Sequence, residues 1–435
     1  MTSSDNITWV GILTPPVDIE ESGINLTLTG SYTDITGNAG SGAAVVYNVD
    51  TIAPTTSVGG IDISTDTGVS DSDLLTRVAS QTITGTLSGE LGSGHILYGS
   101  VDNGSSWEDI TSKLSGTTLN WDGATLSGSS SIVIKVSDIS GNSGPSSTVS
   151  YTLDNVAPTT GWSSATDDVG SVTGVLTSGD STDDTALVFS GTNDSGSVVN
   201  VYNGSTLLGA ATITGTSWTY TAQIEDGITY QFNTKGADAA GNTGVATTNF
   251  EVTGDTTSPL ISGTTAALDN SSIFVTFSEP VFTSAGGDVG VVPGDFALSI
   301  VEGTATIATT PEGVSVSGNV ITLGLGLNGI PDGAEVLTVV PVGATAIFDV
   351  AGNAASATQS NNVVTLLKQV SATEDVDFSY SITSNAANIV SLSAPTLPGW
   401  LTLSDNGGGA GTLSGTPVNE NVGAHSVVLR FTDSG

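Results

Sequence analysis

The chain is 435 residues long and carries 43 acidic against 6 basic side chains, a net charge of −37, yet only 11% of its residues are charged and 37% are hydrophobic. That charge excludes nucleic-acid recognition and attachment to an anionic membrane through a basic patch, while the apolar content is too high for a disordered acidic tail. The absence of cysteine excludes disulfides, thiolate metal sites and cysteine nucleophiles together.

Lys, Arg and Met are scarce while Thr, Ser, Gly, Asp and Val abound, so helices lack their formers and strands and turns have theirs. An all-β fold is expected. No run approaches the ~18 apolar residues that span a bilayer, so no membrane insertion is expected. Met1-Thr-Ser-Ser-Asp5 lacks the basic region and apolar core of a secretory signal. The chain reads as a piece of a longer protein, with an incomplete module at each end.

Its organisation follows from a repeated turn. Asp-x-x-Gly-Asn occurs at Asp34–Asn38, Asp138–Asn142, Asp238–Asn242 and Asp349–Asn353. The first three are followed, 16 or 17 residues after their Asp, by Asp50-Thr-Ile-Ala-Pro54, Asp154-Asn-Val-Ala-Pro158 and Asp255-Thr-Thr-Ser-Pro259. A paired signal recurring at about every hundred residues marks one domain type copied along the chain. The expected modules are a partial one at 1–52, complete ones at 53–156 and 157–257, one of a second type at 258–367, and a partial one at 368–435.

Taken in chain order, Leu26-Thr-Leu-Thr29 alternates as a half-buried strand. In the second module His95–Val101 leads through the turn Asp102-Asn-Gly-Ser105 to a return strand starting at Trp107, and Ile132–Val136 runs into Asp138. In the third, Val198–Tyr202 precedes Asn203-Gly204, expected as a hairpin turn with positive φ at both positions. Leu207-Leu208, Trp218–Thr221 and Tyr230–Phe232 follow. An aromatic, Tyr47, Tyr151 or Phe250, precedes each acidic boundary, and a proline after it stops the strand and stiffens the step onward. Strands of ten residues span ~33 Å, so four to five modules end to end would make a rod on the order of 150 Å long.

These marks resemble the tandem Ig-like modules of large bacterial surface adhesins of the repeats-in-toxin type. Ser64–Gly68 through Ile83–Thr86, and Asp167–Gly170 through Thr182–Asp184 to Ser190–Thr192, are similar to the opening third of such a module. Val275-Thr-Phe-Ser-Glu-Pro-Val281, Gly294-Asp-Phe296 and the Asp349 turn resemble a related bacterial Ig-like type, and Pro398–Leu401, Gly411–Pro417 and Val427–Asp433 resemble a cadherin-like module. The resemblance implies antiparallel β-sandwiches at a bacterial cell surface. The glycine-rich Ca2+ nonapeptide of repeats-in-toxin proteins does not occur; Asp405–Ala410 has the glycines without the pattern.

The carboxylates gather where sandwiches would meet. Asp138 is expected to approach Asp50, and Asp238 to approach Asp154; Asp349 is the fourth turn. The loop after the first strand brings Asp66, Asp71 and Asp73 toward Asp154, and Asp167, Asp168, Asp183 and Asp184 toward Asp255. Oxygen ligands without His or Cys suit Ca2+, which would lock the angle between modules. Against this, Asp-x-x-Gly-Asn is a sound turn without metal, and surface acid alone confers solubility. The fourth boundary lacks its acid, with Leu366-Leu-Lys-Gln369 in its place.

No catalytic constellation can be assembled. His95 and His425 sit in separate strand-like runs, and the nucleophile elbow, phosphate loop and zinc-protease helix have no counterpart. The rival to a Ca2+-stiffened extender that projects a distal adhesive domain is a segment that itself binds extracellular glycan, another surface ligand or ice; a third reading is an accessory array of a secreted hydrolase or surface layer. Of Trp9, Trp107, Trp121, Trp162, Trp218 and Trp400, packing accounts for most, and Trp162 is the best candidate for an exposed ring. The expected partners are neighbouring modules of the same chain, in a monomer.

Overall fold

The computed structural model describes residues 2–3, 9–29, 33–384, 386 and 388–433. Among them the regular elements are β-strands and three short 3-10 turns, so the all-β expectation holds. No helix among the described residues is long and apolar enough to cross a membrane. The chain forms antiparallel sandwiches in tandem, and its contacts divide it into two compact units: one takes residues 1–162, 191–219 and 233–248, the other 163–190, 220–232 and 249–435.

In the first unit Glu20–Leu28 pairs antiparallel with Ala43–Asp50. A sandwich follows. One sheet runs in the order Leu114–Ser115, Thr118–Thr125, Ser80–Leu87, Val58–Ile63; the other runs Leu75–Thr76, Ser147–Leu153, Ser129–Asp138, His95–Ser100, Glu108–Asp109. Period-2 alternation puts Ile83 and Leu87 of one sheet against Leu97, Ile132 and Ile134 of the other in a core with Trp121. Trp121 fits because Gly99 faces it: a Cβ there would lie 2.6 Å from the indole. Gly191 makes the same allowance for Trp218, at 2.4 Å.

Both expected hairpins form, with one difference of register. Asn103 and Gly104 take φ of +57° and +84°, as an Asn-Gly turn should. In the hairpin of Val198–Asn203 with Thr206–Ala210, however, Asn203 pairs with Thr206, so the two-residue loop is Gly204-Ser205 and the positive φ of +58° falls on Gly204. Gly at the first loop position satisfies the other favoured hairpin turn.

In the second unit Asp180–Thr182 runs parallel to Phe250–Gly254, which pairs antiparallel with the start of Thr229–Ala237. A further sandwich has sheets ordered Ile261–Ala266, Ser272–Phe277, Val320–Gly324, Gly313–Ser317 and Phe296–Val301, Val336–Pro341, Val363–Thr365. Phe277, Phe296, Leu323 and Leu337 close its core. The last sandwich sets Phe378–Thr383, Ala410–Gly415 and Thr402–Gly407 against Ile389–Thr396 paired with Val428–Asp433, over a smaller core of Ile382, Leu392 and Leu413.

Candidate metal site

In all four copies of the repeated turn the aspartate Oδ1 accepts the asparagine N–H and its Oδ2 the asparagine side-chain amide. In Asp138–Asn142, Asp138 Oδ1 accepts the N–H groups of Ser140 and Asn142 at 2.9 Å, and Oδ2 accepts the Asn142 amide at 2.8 Å. Gly141 takes φ +95°. In three copies the asparagine then reaches out of the turn: Nδ2 of Asn142, Asn242 and Asn353 donates to the main-chain carbonyls of Asp50, Asp154 and Asp255 at 3.0, 2.7 and 2.8 Å. Asn38 instead stays within its own turn, donating to Asp34 and Thr36.

The expected meeting of turn and linker therefore occurs, but its contact is an asparagine amide on backbone. The turn carboxylates face inward onto their own N–H groups, whereas the Asn amide has a second N–H left to donate to the linker. Replacing Asn242, which is 8% exposed, with alanine strands the Asp154 carbonyl and is expected to cost about 1–2 kcal/mol by urea unfolding. The same change at exposed Asn38 is expected to cost less than about 0.5 kcal/mol.

At the junction reached from Asp154, Thr67 Oγ1 donates to Ala240 O at 2.6 Å and the Arg77 guanidinium to Gly241 O. A Cβ on Gly68 would fall 1.8 Å from Ala239 O, so the Asp66 loop lies directly on the Asp238 turn. Asp66 Oδ2 accepts Leu74 N–H at 2.8 Å, while its buried Oδ1 has no hydrogen-bond partner. Asp73 caps Leu75 N–H and Asp71 is exposed. Asp50 and Asp154 each cap the N–H two residues on, of Ile52 and Val156.

The junction at Asp255 is more acidic. Oxygens of Asp255, Glu279 and Asp349 lie within 4.8 Å of one another, the tight carboxylate group found among the described residues. Asp349 is 0% exposed, and its turn bonds run to Gly352 N–H and Asn353 N–H at 2.8 Å and the Asn353 amide at 2.9 Å. Asp183 feels the charges of Asp167, Asp349 and Asp184. Its Oδ1 is buried without a partner, and so is Oδ2 of Asp184. Any Cβ on Gly170 would meet Asp183 Oδ2 at 1.9 Å. Asp167 is satisfied by Val169 N–H and Thr182 Oγ1, and Asp168 is exposed.

The electrostatics follow from this crowding. Burial, then the charges of Asp255 and Asp349, push the Glu279 carboxyl up to about 7. Burial, then Asp349, raises Asp255, and burial, then Asp167, raises Asp183. Nearby Asp226 moves the other way because Thr256 N–H and the Thr257 hydroxyl bind it. Crowded carboxylates that make no ion pair with a basic side chain among the described residues, two of them with buried unpartnered oxygens, are a donor set that fits a hard divalent cation. Glu279 was not among the sequence candidates; it sits in the strand-like run Val275–Val281, where nothing local sets it apart.

With this geometry in place, the C-terminal part can be compared with known families. Residues 343–435 match the family model described as "Putative Ig domain". This Ig-domain match takes in the strand Val363–Thr365 and the described C-terminal sandwich. Among curated proteins no relative matches the chain. Similar solved structures include the fibronectin(III)-like modules of Clostridium thermocellum CbhA, at 12% identity over 45% of this chain and 94% of that one, TM-score 0.27. They also include the BSP domain of a biofilm associated protein, at 16% identity over 46% of this chain and 30% of that one, TM-score 0.17. An ICAM-5 D1–D4 ectodomain fragment is similar at 10% identity over 87% and 99%, TM-score 0.26.

The tryptophans are mostly structural. Trp121 and Trp218 are 2% and 1% exposed. Trp162, expected as an exposed ring, is half-buried, packs edge-on against Trp218 at 5.2 Å and donates Nε1–H to Thr248 O. Exposure falls instead on Trp107, whose ring carries the Lys135 ammonium 4.2 Å from its centroid. The Trp9 side chain lies outside the described residues.

Proposed function

We propose that this chain is a non-catalytic extender segment of an extracellular bacterial surface adhesin, with modules bounded near residues 52, 156, 257 and 367, and that Ca2+ binds where sandwiches meet. The observation that carries this reading is the convergence of Asp255, Glu279 and Asp349, with Asp183, whose Oδ1 has no partner, near enough to feel the Asp349 charge. A cation there would bind Asp349 from the turn that is entered, Asp255 from the linker and Glu279 from beyond the following strand, and its charge would also relieve Asp183, which feels Asp349 and Asp184. It would supply positive charge to carboxylates that otherwise repel, and couple the two sandwiches in doing so. Asp66, with its own orphaned oxygen beside the Asp238 turn, is the second place where a cation would be held.

Ca2+ in extracellular modules binds with Kd on the order of 10⁻⁴–10⁻³ M. At ten times Kd, a ligand bound only by the folded state adds about 1.4 kcal/mol. Thermal unfolding in millimolar Ca2+ is therefore expected at higher temperature than in chelator. Coincident melting curves would end the cation reading and leave a spacer held by hydrogen bonds.

A further inference from the structure

Three junctions share a device that the fourth lacks. Asp154 N–H donates to Thr76 O (2.9 Å) in the sandwich being left, and its carbonyl accepts the Asn242 amide (2.7 Å) in the one being entered. Asp255 does the same with Thr182 O (2.8 Å) and the Asn353 amide (2.8 Å). At the first junction the carbonyl of Asp50 accepts the Asn142 amide (3.0 Å), and the next N–H, of Thr51, donates to Ile19 O (2.8 Å). Backward and forward ties thus fall on one residue or on adjoining ones. Almost no free backbone torsion separates the bodies that they join.

After residue 365 the ties come apart. Leu366 N–H donates to Glu335 O (3.0 Å), and Asn270, 1% exposed, grips Leu367 from both sides, accepting its N–H (3.0 Å) and donating to its carbonyl (2.6 Å). Gln369 N–H donates to Pro331 O (2.9 Å) and its side-chain amide to Asp269 O. That is the last backward tie. The first forward tie made by the main chain is Asp375 N–H to Pro417 O (2.8 Å). Between them Val370, Ser371, Ala372, Thr373 and Glu374 are all exposed, and Thr373 O accepts the local N–H of Val376. Lys368 spans the gap with its side chain alone, its ammonium bonded to the Tyr380 hydroxyl and 5.3 Å from the centre of that ring; a single contact at the end of an exposed, four-carbon side chain leaves the main chain of residues 370–374 free to turn.

We propose that residues 370–374 are a cation-independent pivot between the sandwich of residues 261–365 and that of residues 378–433. The stretch has no proline to stiffen it and no carboxylate group like that at Asp255 for a cation to draw together. The terminal sandwich turns on this pivot whether or not Ca2+ is present, while the junction at Asp255 holds its two sides in register. The pivot rests on the hydrogen-bond ties and does not depend on the cation reading.

The test uses the full chain. With no native cysteine, cysteines introduced at exposed positions are its sole thiol labelling sites. Spin-label distance distributions are measured for S315C with S404C, across the pivot, and for Q223C with S315C, across the Asp255 junction, in Ca2+ and in chelator. The 315/404 distribution is expected to be at least about twice as broad as the 223/315 distribution in Ca2+, and unchanged by chelator. A 315/404 distribution as narrow as that of 223/315, or one that narrows on adding Ca2+, overturns the pivot. A 223/315 distribution indifferent to chelator counts against the cation reading and leaves the pivot standing.

Discussion

Glu335→Ala is expected to destabilise the chain by on the order of 3 kcal/mol, more than most other single polar truncations in the protein. Glu335 is 0% exposed. Its Oε1 accepts the N–H groups of Thr304 (2.9 Å) and Ala305 (3.0 Å), its Oε2 that of Gly333 (3.0 Å), and both share that of Asp332 (3.1 and 3.0 Å). One carboxylate therefore closes two loops at once, and alanine leaves these donors without an acceptor. Burial alone would push the carboxyl up; the N–H groups of Ala305, Asp332 and Thr304 outweigh it and hold it at about 2, below the ordinary 4.5. A depressed folded-state pKa stabilises above the unfolded value and loses that contribution as pH falls through the folded one. Urea unfolding should show the full Glu335→Ala penalty at pH 7 and little of it below pH about 2. A penalty under 1 kcal/mol at pH 7 would show that water replaces the carboxylate.

Asp349→Ala is expected to cost about 3 kcal/mol and to remove the thermal response to Ca2+ at its junction. The two losses are separable. In chelator the variant lacks the acceptor for Gly352 N–H, Asn353 N–H and the Asn353 amide, and through Asn353 it loosens the tie to Asp255. In Ca2+ it also lacks one of three converging carboxylates. A pH series in chelator gives an independent readout. Glu279, raised to about 7, binds a proton more tightly when folded than unfolded, so this group's stabilisation is complete below its ordinary 4.5 and lost as pH rises through about 7. Solvent screening at a half-exposed group keeps that effect to about 1 kcal/mol. Wild type in chelator should thus lose stability between pH 5 and 7.5, and Ca2+ should offset the loss. Removing the Asp349 charge should shallow the pH slope. A wild-type slope equally steep with and without Ca2+ would place no cation at Glu279.

Much of the fold was legible in the sequence because its signals are local. Scarce helix formers, period-2 runs such as Ile132–Val136 and the Asn103-Gly104 turn act within a few residues, and the strands form accordingly. The Asn203-Gly204 turn slipped by one residue because two turn types compete for the same dipeptide and cross-strand packing decides between them. The site was legible only in part. Aspartates 167, 168, 183 and 184 are expected to face Asp255 from the topology of a sandwich, and Asp349 only as the fourth turn; in the structure the charges at Asp167, Asp183, Asp184 and Asp349 interact, as do those at Asp255 and Asp349. Glu279 was hidden because a glutamate in a strand-like run carries no sign of which face it will meet. Asn142, Asn242 and Asn353 were visible as repeats, but turn chemistry already explained them; the clue was that φ needs only the glycine, leaving the side chain to do something else.

Placing both ties on one aspartate constrains how such a chain can be lengthened or recombined. An insertion directly after Asp154 or Asp255 would leave both ties on that residue intact, whereas one just before it would pull the forward tie away from the sandwich behind. A module that is exchanged must therefore travel with the aspartate at its end and the asparagine of its own turn, and a donor lacking either would join as loosely as residues 370–374 do. The repeat unit that can be shuffled without loss is thus defined by a hydrogen-bond donor and its acceptor a module-length apart, 88 residues between Asp154 and Asn242 and 98 between Asp255 and Asn353.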